Sequence, residues 1–391
     1  MDIKTILERG VEEVIDKKHL EAALKSGKKL RVKLGIDPTS PNIHIGRAVV
    51  LWKLRAFQEL GHKVVLIVGD FTGLIGDTSD KDAERPMMSE TELKKNMKGY
   101  FEQAFKILDK SKTETHYNSK WLKKLGAKEI GEMADLFGLH EFEAREVISR
   151  RLKTGKRVSV RELLYPLFQG YDSVAVKADL ELGGTDQRFN LLAGRTIQKH
   201  YGQQSQDILT TTLLEGTDGR KMSSSWGNVV NLTDGPDDMF GKIMSISDNL
   251  IEKYFLLTTN LSTEEIGRII SSNKNPKDQK VALAEKVVSL YHGKKASGDA
   301  RSNFETKFGK GGKGETGEIK ADFTLKRKPG EYSLIDILVE GHLASSKSEA
   351  RRKIREGAVE ADGNKVKDEL AKVKLTKNSL IRLGKRFLRI A

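Results

Sequence analysis

Leu30 to Ile36 reads as a buried strand and Val64 to Val68 is a continuous apolar run, and between them Ala48 to Leu60 carries apolar residues at helical spacing before Gly61. Apolar strands joined through a helix pair in parallel, because the crossover returns the chain to the same end of the sheet, and such sheets are covered on both faces. No other feature narrows the fold as much, and it predicts an α/β protein built on a parallel sheet. Strand signals at Ser173 to Ala178 and Ile208 to Leu214 extend that sheet, with a helix predicted over Thr185 to His200 between them. At the N-terminus, Ile3, Ile6, Leu7, Val11, Val14 and Ile15 fall at helical spacing and predict an opening amphipathic helix.

The chain has 391 residues, more than one ordinary core accommodates. The sheet-forming part spans 1–232, interrupted by a largely helical insertion over about 89–160. A helical stretch follows over 233–308. The glycine- and lysine-rich run from Gly309 to Gly317 marks a linker, taken as 309–328, ahead of a small last unit over 329–391. No cysteine is present, which rules out a disulfide framework, a thiolate metal site and a cysteine nucleophile. No apolar run reaches the roughly 18 residues that span a bilayer, and the N-terminus has no apolar signal core. A cytoplasmic location is the expectation. The net charge of +14 is uneven, with 17 Lys and Arg against 9 Asp and Glu from Lys326 onward. A basic terminal unit is the footprint of a polyanion binder, although a solvated basic surface has the same composition.

Two common nucleotide signatures are absent. The glycines of Gly69-Asp-Phe-Thr-Gly-Leu-Ile-Gly76 do not match the dinucleotide fingerprint, and there is no phosphate loop ending in Gly-Lys-Ser/Thr. Three other stretches carry usable chemistry. In Pro38-Thr-Ser-Pro-Asn-Ile-His-Ile-Gly-Arg47 a strand turns into a helix, so backbone N–H groups and the positive helix end can face an anion. His44 adds a donor there and Gly46 permits close approach. In Asp218-Gly-Arg-Lys-Met-Ser-Ser-Ser225, Lys221 sits on a loop able to close on a triphosphate. Tyr165, Gln169 and Asp172 are spaced by four and three, so one helix face presents all of them. Shortly after come Gly183, Gly184 and Asp186, where Asp186 can accept from ribose hydroxyls or merely cap the following helix.

Together these segments resemble a known family. His-Ile-Gly-Arg at 44–47 and Lys-Met-Ser-Ser-Ser at 221–225 look like the two signatures of class I aminoacyl-tRNA synthetases. Gly35-Ile-Asp-Pro-Thr39, Thr72-Gly-Leu-Ile-Gly-Asp77, Gln169-Gly-Tyr-Asp172 and Gly183-Gly-Thr-Asp-Gln187 narrow the resemblance to the bacterial tyrosyl-tRNA synthetases. It covers essentially the whole chain. The tail, through Ser345-Ser-Lys-Ser-Glu-Ala-Arg-Arg-Lys-Ile354 and Gly357-Ala-Val-Glu-Ala-Asp-Gly363, resembles the small RNA-binding domain named for ribosomal small-subunit protein four. Lys347, Arg351, Arg352 and Arg355 are spaced to make one basic helix face there.

The resemblance implies a Rossmann-like catalytic domain, a helical anticodon-binding domain and a small α+β RNA-binding domain. It implies ATP-dependent activation of L-tyrosine to tyrosyl-adenylate, then transfer of tyrosyl to the terminal adenosine of tRNA-Tyr. By similarity His44, Arg47 and Lys221 are catalytic, with Lys81 and Arg85 helping toward pyrophosphate. Asp37, Thr39, Gly46, Gly184, Asp186, Met222 and Ser224 match ATP positions. Lys33, Gly35, Asp77, Tyr165, Gln169, Asp172 and Gln187 match positions around the tyrosine, with Asp172 accepting from its phenol. Mg²⁺ is expected to arrive with ATP rather than in a protein-built metal site, and a homodimer is expected through the insertion. Three residues depart from the family pattern: Arg47 stands where histidine is usual, Ser224 where lysine is usual, and Lys33 where many relatives have tyrosine. Tryptophan specificity and a non-catalytic RNA-binding relative are the competing readings.

Overall fold

Six strands form the central sheet: β1 (Val11–Ile15), β2 (Arg31–Ile36), β3 (Lys63–Val68), β4 (Thr113–Tyr117), β5 (Leu180–Gly184) and β6 (Asp207–Thr211), in the order β1-β6-β5-β2-β3-β4. The computed structural model describes residues 2–79, 86–308, 321–384 and 386–391. The strands from β2 to β6 are mutually parallel and β1 runs antiparallel to β6. The expected strand–helix–strand unit is present, with β2 and β3 in register from Arg31↔Lys63 to Ile36↔Val68 and the helix Ile45–Glu59 between them. β3 is buried along five of its six residues and β6 throughout, as a sheet covered on both faces requires. β2 has β3 on one side and β5 on the other. The chain therefore changes direction across the sheet at β2, and a crevice opens at the carboxyl ends of β2 and β5, where open α/β sheets hold ligands.

Several sequence expectations are corrected. The opening helix stops at Glu8; Gly10 takes φ +62, and Val11–Ile15 form β1 rather than further helix. A Cβ on Gly10 would lie 2.6 Å from Leu257, so packing as well as backbone conformation holds glycine there. The largely helical 89–160 insertion also contributes one strand, Thr113–Tyr117, which joins the sheet beside β3. The strand expected at Ser173 to Ala178 is the end of a helix, Val160–Val176, which stops at Lys177 in the left-handed region. The following strand is β5.

That helix starts with a reciprocal cap: Ser159 Oγ accepts from Arg161 N at 3.3 Å, and Glu162 Oε1 accepts from Ser159 N at 3.1 Å. Glu162 also takes Arg151 Nη1 at 2.6 Å, Arg151 Nη2 at 3.1 Å and Thr78 Oγ1 at 2.6 Å. Burial works to raise the Glu162 pKa, but these bonds outweigh it and hold it below the usual carboxylate value.

The chain divides into two compact units, Met1–Arg301 and Ser302–Ala391. The second contains β7 (Phe323–Leu325), β8 (Gly330–Ser333), β9 (Val359–Ala361), β10 (Asn364–Val366), β11 (Lys372–Leu375), β12 (Leu380–Leu383) and β13 (Arg386–Ile390). Five of them form a sheet in the order β10-β9-β12-β13-β7, and β11 pairs with β8. β7 lies within the stretch 309–328 expected as a linker: Phe323 and Leu325 pair with Leu388 and Ile390 and pack on this unit's core. The rest of that stretch up to residue 320 lies outside the described residues. The helix Lys347–Arg355 buries Ala350 and Ile354 and exposes Lys347, Arg351, Arg352 and Arg355.

Glu162→Gln leaves the buried Arg151 guanidinium without its counter-charge, so unfolding in urea should show a loss of about 3 kcal/mol. Because the Glu162 pKa is depressed on folding, its contribution is present above the unfolded carboxylate value of 4.5 and is lost as pH falls through the folded one.

Candidate active site

The floor of the crevice is the carboxyl end of β2. Beyond it, Asp37 accepts from Thr72 Oγ1 at 2.7 Å and from Tyr165 Oη at 2.9 Å. Any Cβ on Gly69 would stand 2.0 Å from the Asp37 carboxylate, so the carboxylate occupies the space that only glycine leaves open. The backbone then turns into the helix Ile45–Glu59, whose N-cap is His44. Its Nδ1 accepts from Arg47 N at 3.3 Å, which places the ring proton on Nε2. Burial, with the nearby charges of Arg47 and Lys221, brings the His44 pKa down to about 3. His44 is therefore a neutral imidazole with one N–H to donate. Gly46 lets this ring and the Met222 sulfur close in, since a Cβ there would be 3.0 Å from His44 Nδ1 and 3.3 Å from Met222 Sδ.

Arg47, one turn into the helix, is held by Tyr100 and Thr39. Its Nη1 donates to Tyr100 Oη at 2.8 Å and its Nη2 to Thr39 Oγ1 at 3.0 Å. Tyr100 is 2% exposed and was not marked by any motif.

The second stretch is brought in by backbone pairing. Ile45 N donates to Val230 O at 2.8 Å and Leu232 N to Ile43 O at 2.9 Å, so residues 43–45 and 230–232 lie antiparallel. The loop carrying Lys221 precedes residue 230 and folds back at a Glu215↔Lys221 bridge. Asn228, 3% exposed, holds the loop together. Its Nδ2 donates to Asp218 Oδ1 at 2.7 Å and to Lys221 O at 3.1 Å, while its Oδ1 accepts from Ser223 N at 2.9 Å. Ser224 Oγ reaches Ser40 Oγ at 3.2 Å, a direct contact between the two signature stretches. Lys221 Nζ lies 3.0 Å from Asp186 Oδ2.

The third group comes from the helix Val160–Val176, where the four-and-three spacing places Tyr165, Gln169 and Asp172 on the cavity wall. Asp172 is 3% exposed and accepts from Trp121 Nε1 at 2.7 Å and Asn118 Nδ2 at 3.1 Å. Burial raises its pKa to about 7, against the opposing influence of Lys33 and of these two donors. Burial, with the carboxylates of Asp37 and Asp77, pushes the Tyr165 phenol well above its ordinary range. Asp77 accepts from Gln187 Nε2 at 2.7 Å.

These side chains enclose a cavity of about 260 Å³. Gly35, Asp37, Thr39, His44, Gly46 and Arg47 line it from the first stretch, and Lys221, Met222 and Ser224 from the second. Asp77, Tyr165, Gln169, Asp172, Gly184, Asp186 and Gln187 complete the wall. Lys33 is a correction: it is fully buried, paired with Glu181, and does not line the cavity. Lys81 and Arg85 fall outside the described residues. The cavity has two chemical ends. A neutral N–H donor and two cations stand at one, suited to phosphate oxygens, and carboxylates with amides stand at the other, suited to an ammonium and a hydroxyl. Among the described residues no group of three or more His, Asp or Glu could hold a metal ion.

A family model for the class I tRNA synthetases (W and Y) matches residues 25–309, and one for the tyrosine–tRNA ligase SYY-like C-terminal domain matches residues 320–388. The chain belongs to the class I tRNA synthetases of this W and Y family. Its relatives are more specific. A tyrosine–tRNA ligase of Bordetella avium is 44% identical over 372 residues, covering 93% of this chain and 90% of that one. A tyrosine–tRNA ligase of Thermotoga maritima is 43% identical over 392 residues, covering 99% and 96%. Within the family the chain is thus an aminoacyl-tRNA ligase of the tyrosine–tRNA ligase group. A solved tyrosyl-tRNA synthetase of Archaeoglobus fulgidus, complexed with L-tyrosine, shares the fold with a TM-score of 0.61 at 22% identity, over 76% of this chain and 98% of that one.

Asn228→Ala should loosen the Lys221 loop. Amides over 216–225 should exchange about tenfold faster or more by hydrogen–deuterium exchange, with the β2 and β3 amides unchanged.

Proposed function

We propose that the chain activates L-tyrosine with ATP and transfers the tyrosyl group to the 3′-terminal adenosine of tRNA-Tyr, both steps taking place in this cavity. The observation that carries the reading is the convergence of His44, Arg47 and Lys221 with the Tyr165–Gln169–Asp172 helix face on one cavity, in a chain of this family. A tyrosine carboxylate oxygen attacks the α-phosphorus of ATP, expelling pyrophosphate. A ribose hydroxyl of the tRNA terminus then attacks the tyrosyl carbonyl, and AMP leaves. No covalent enzyme intermediate is needed.

The residues act by position and charge. His44 donates its Nε2–H to a phosphate oxygen without a proton to lose, because its pKa of about 3 keeps it neutral at working pH. Arg47 and Lys221 supply the positive charge that the pentavalent phosphorus requires. Lys221 exchanges Asp186 for a phosphate oxygen, and Asp186 becomes available to ribose hydroxyls. Asp37, Thr39, Gly46, Gly184, Met222 and Ser224 frame the nucleotide. Asp77, Tyr165 and Gln169 receive the tyrosine ammonium, Gln187 lies near its carboxylate, and Gly35 leaves room for the ring. Asp172, already oriented by Asn118 and Trp121, accepts from the phenol. Phenylalanine would leave that buried carboxylate one bond short. Mg²⁺ enters with ATP as part of the substrate.

The exposed basic helix face of Lys347, Arg351, Arg352 and Arg355 supports an RNA-binding role for the last unit, and residues 233–308 are assigned to the anticodon end. Leu139 at 62%, Leu152 at 47% and Val160 at 72% exposure support a homodimer through the insertion. No described helix is long and apolar enough to cross a membrane, and a cytoplasmic location is proposed.

Tyrosine-dependent exchange of pyrophosphate into ATP tests the reading; exchange with tryptophan only, or with neither amino acid, overturns it. His44→Ala should lower the exchange kcat about 100-fold with little change in the tyrosine KM. Since the phenol donates to an ionised Asp172, kcat/KM for tyrosine should rise with pH through about 7. The rise should be absent in Asp172→Asn, measured by the same exchange.

A further inference from the structure

We infer that the buried Lys33–Glu181 ion pair decides which end of the Gln169 amide faces the amino-acid site, making Lys33 and Glu181 positioning residues for tyrosine recognition. The inference rests on the reading of this cavity as a tyrosine site. Lys33 on β2 and Glu181 on β5 are register partners of adjacent parallel strands, so their side chains leave the same face of the sheet side by side. Both are 0% exposed, with Nζ and Oε1 2.9 Å apart. The three N–H groups of Lys33 are all engaged, by Gln169 O at 2.9 Å, Ser173 Oγ at 2.8 Å and Glu181. The Glu181 carboxylate in turn accepts from Gln169 Nε2 at 3.2 Å, from Ser173 Oγ at 3.1 Å and from Gln206 Nε2.

An ionised carboxylate only accepts, so the Gln169 amide must turn its NH₂ toward Glu181. Its Oε1 is then the end left for the cavity, and an oxygen is what an ammonium needs. Lys33 is the counter-charge of the Glu181 carboxylate, 2.9 Å away. A buried carboxylate without a counter-charge takes up a proton rather than remain charged. Glu181 would then have an O–H to donate, and the partner it would seek is Gln169 Oε1. The amide turns over, and its NH₂ meets the substrate's ammonium. Neither Lys33 nor Glu181 touches tyrosine in this arrangement; the pair acts through Gln169, and the charge of Lys33 also favours the ionised form of Asp172.

The test compares wild type, Lys33→Met and the double variant Lys33→Met/Glu181→Gln in pyrophosphate exchange, with folding followed by circular dichroism. Lys33→Met should raise the tyrosine KM about tenfold, the equivalent of one charge-assisted bond, and move the ATP KM less than about twofold. The double variant should return the tyrosine KM to within about threefold of wild type, because a neutral amide at 181 carries no charge to compensate and still offers Gln169 an oxygen. An unchanged tyrosine KM in Lys33→Met, or a double variant as impaired as the single, overturns the inference. Should Lys33→Met fail to fold, the double variant decides alone: a tyrosine KM near wild type supports the inference and a large loss overturns it. A wild-type chain without tyrosine-dependent exchange overturns the underlying reading instead.

Discussion

The short antiparallel pairing of residues 43–45 with 230–232 is the contact on which the site depends. It joins a segment that follows β2 to one that follows β6, the last strand of the sheet. On one side it sets the direction in which the signature helix starts, and so the place of His44. On the other it fixes the end of the loop that holds Lys221. Asn228 then turns a ten-residue distance in sequence, back to Asp218, into a closed loop by bonding to both of its arms. Without this clasp the two halves would each be an ordinary turn on an α/β sheet.

The charges at the phosphate end are arranged so that one member of the cluster need not be charged. Burial does most of this to His44 and the two cations nearby add to it, leaving a donor whose protonation state does not change across ordinary pH. Arg47 fits this arrangement, because Tyr100 and Thr39 hold its long guanidinium against the wall. At the other end the logic is reversed: Asp172 sits where its charge is costly and is kept usable by directed N–H groups and a lysine below.

Much of this was legible in the residues. The helix face of Tyr165, Gln169 and Asp172 follows from spacing alone, β3 follows from an uninterrupted apolar run, and β2 from the helix that links it to β3. What escaped has a physical reason in each case. Thr113–Tyr117 is an edge strand, half-exposed and polar, without the apolar run that marks β3. Val11, Val14 and Ile15 sit at positions compatible with either helix or bulged strand, and only the left-handed Gly10 separates them from the helix before. Val174 and Val176 are apolar because one side of the helix end packs against the core, which a strand would also show. Tyr100, Trp121 and Asn228 act through single bonds to residues far from any motif, and periodicity reports burial without naming partners. Lys33 could not be placed without knowing that Glu181 stands beside it in register.

The Lys221–Asp186 pair has a consequence for turnover. In the proposed cycle the lysine must follow a departing pyrophosphate and yet not leave with it. Once AMP has left with its ribose, Asp186 would again be a resting partner within reach of the same extended side chain, so that the loop would return by swapping one oxyanion for another. Reset is built into the wall of the site.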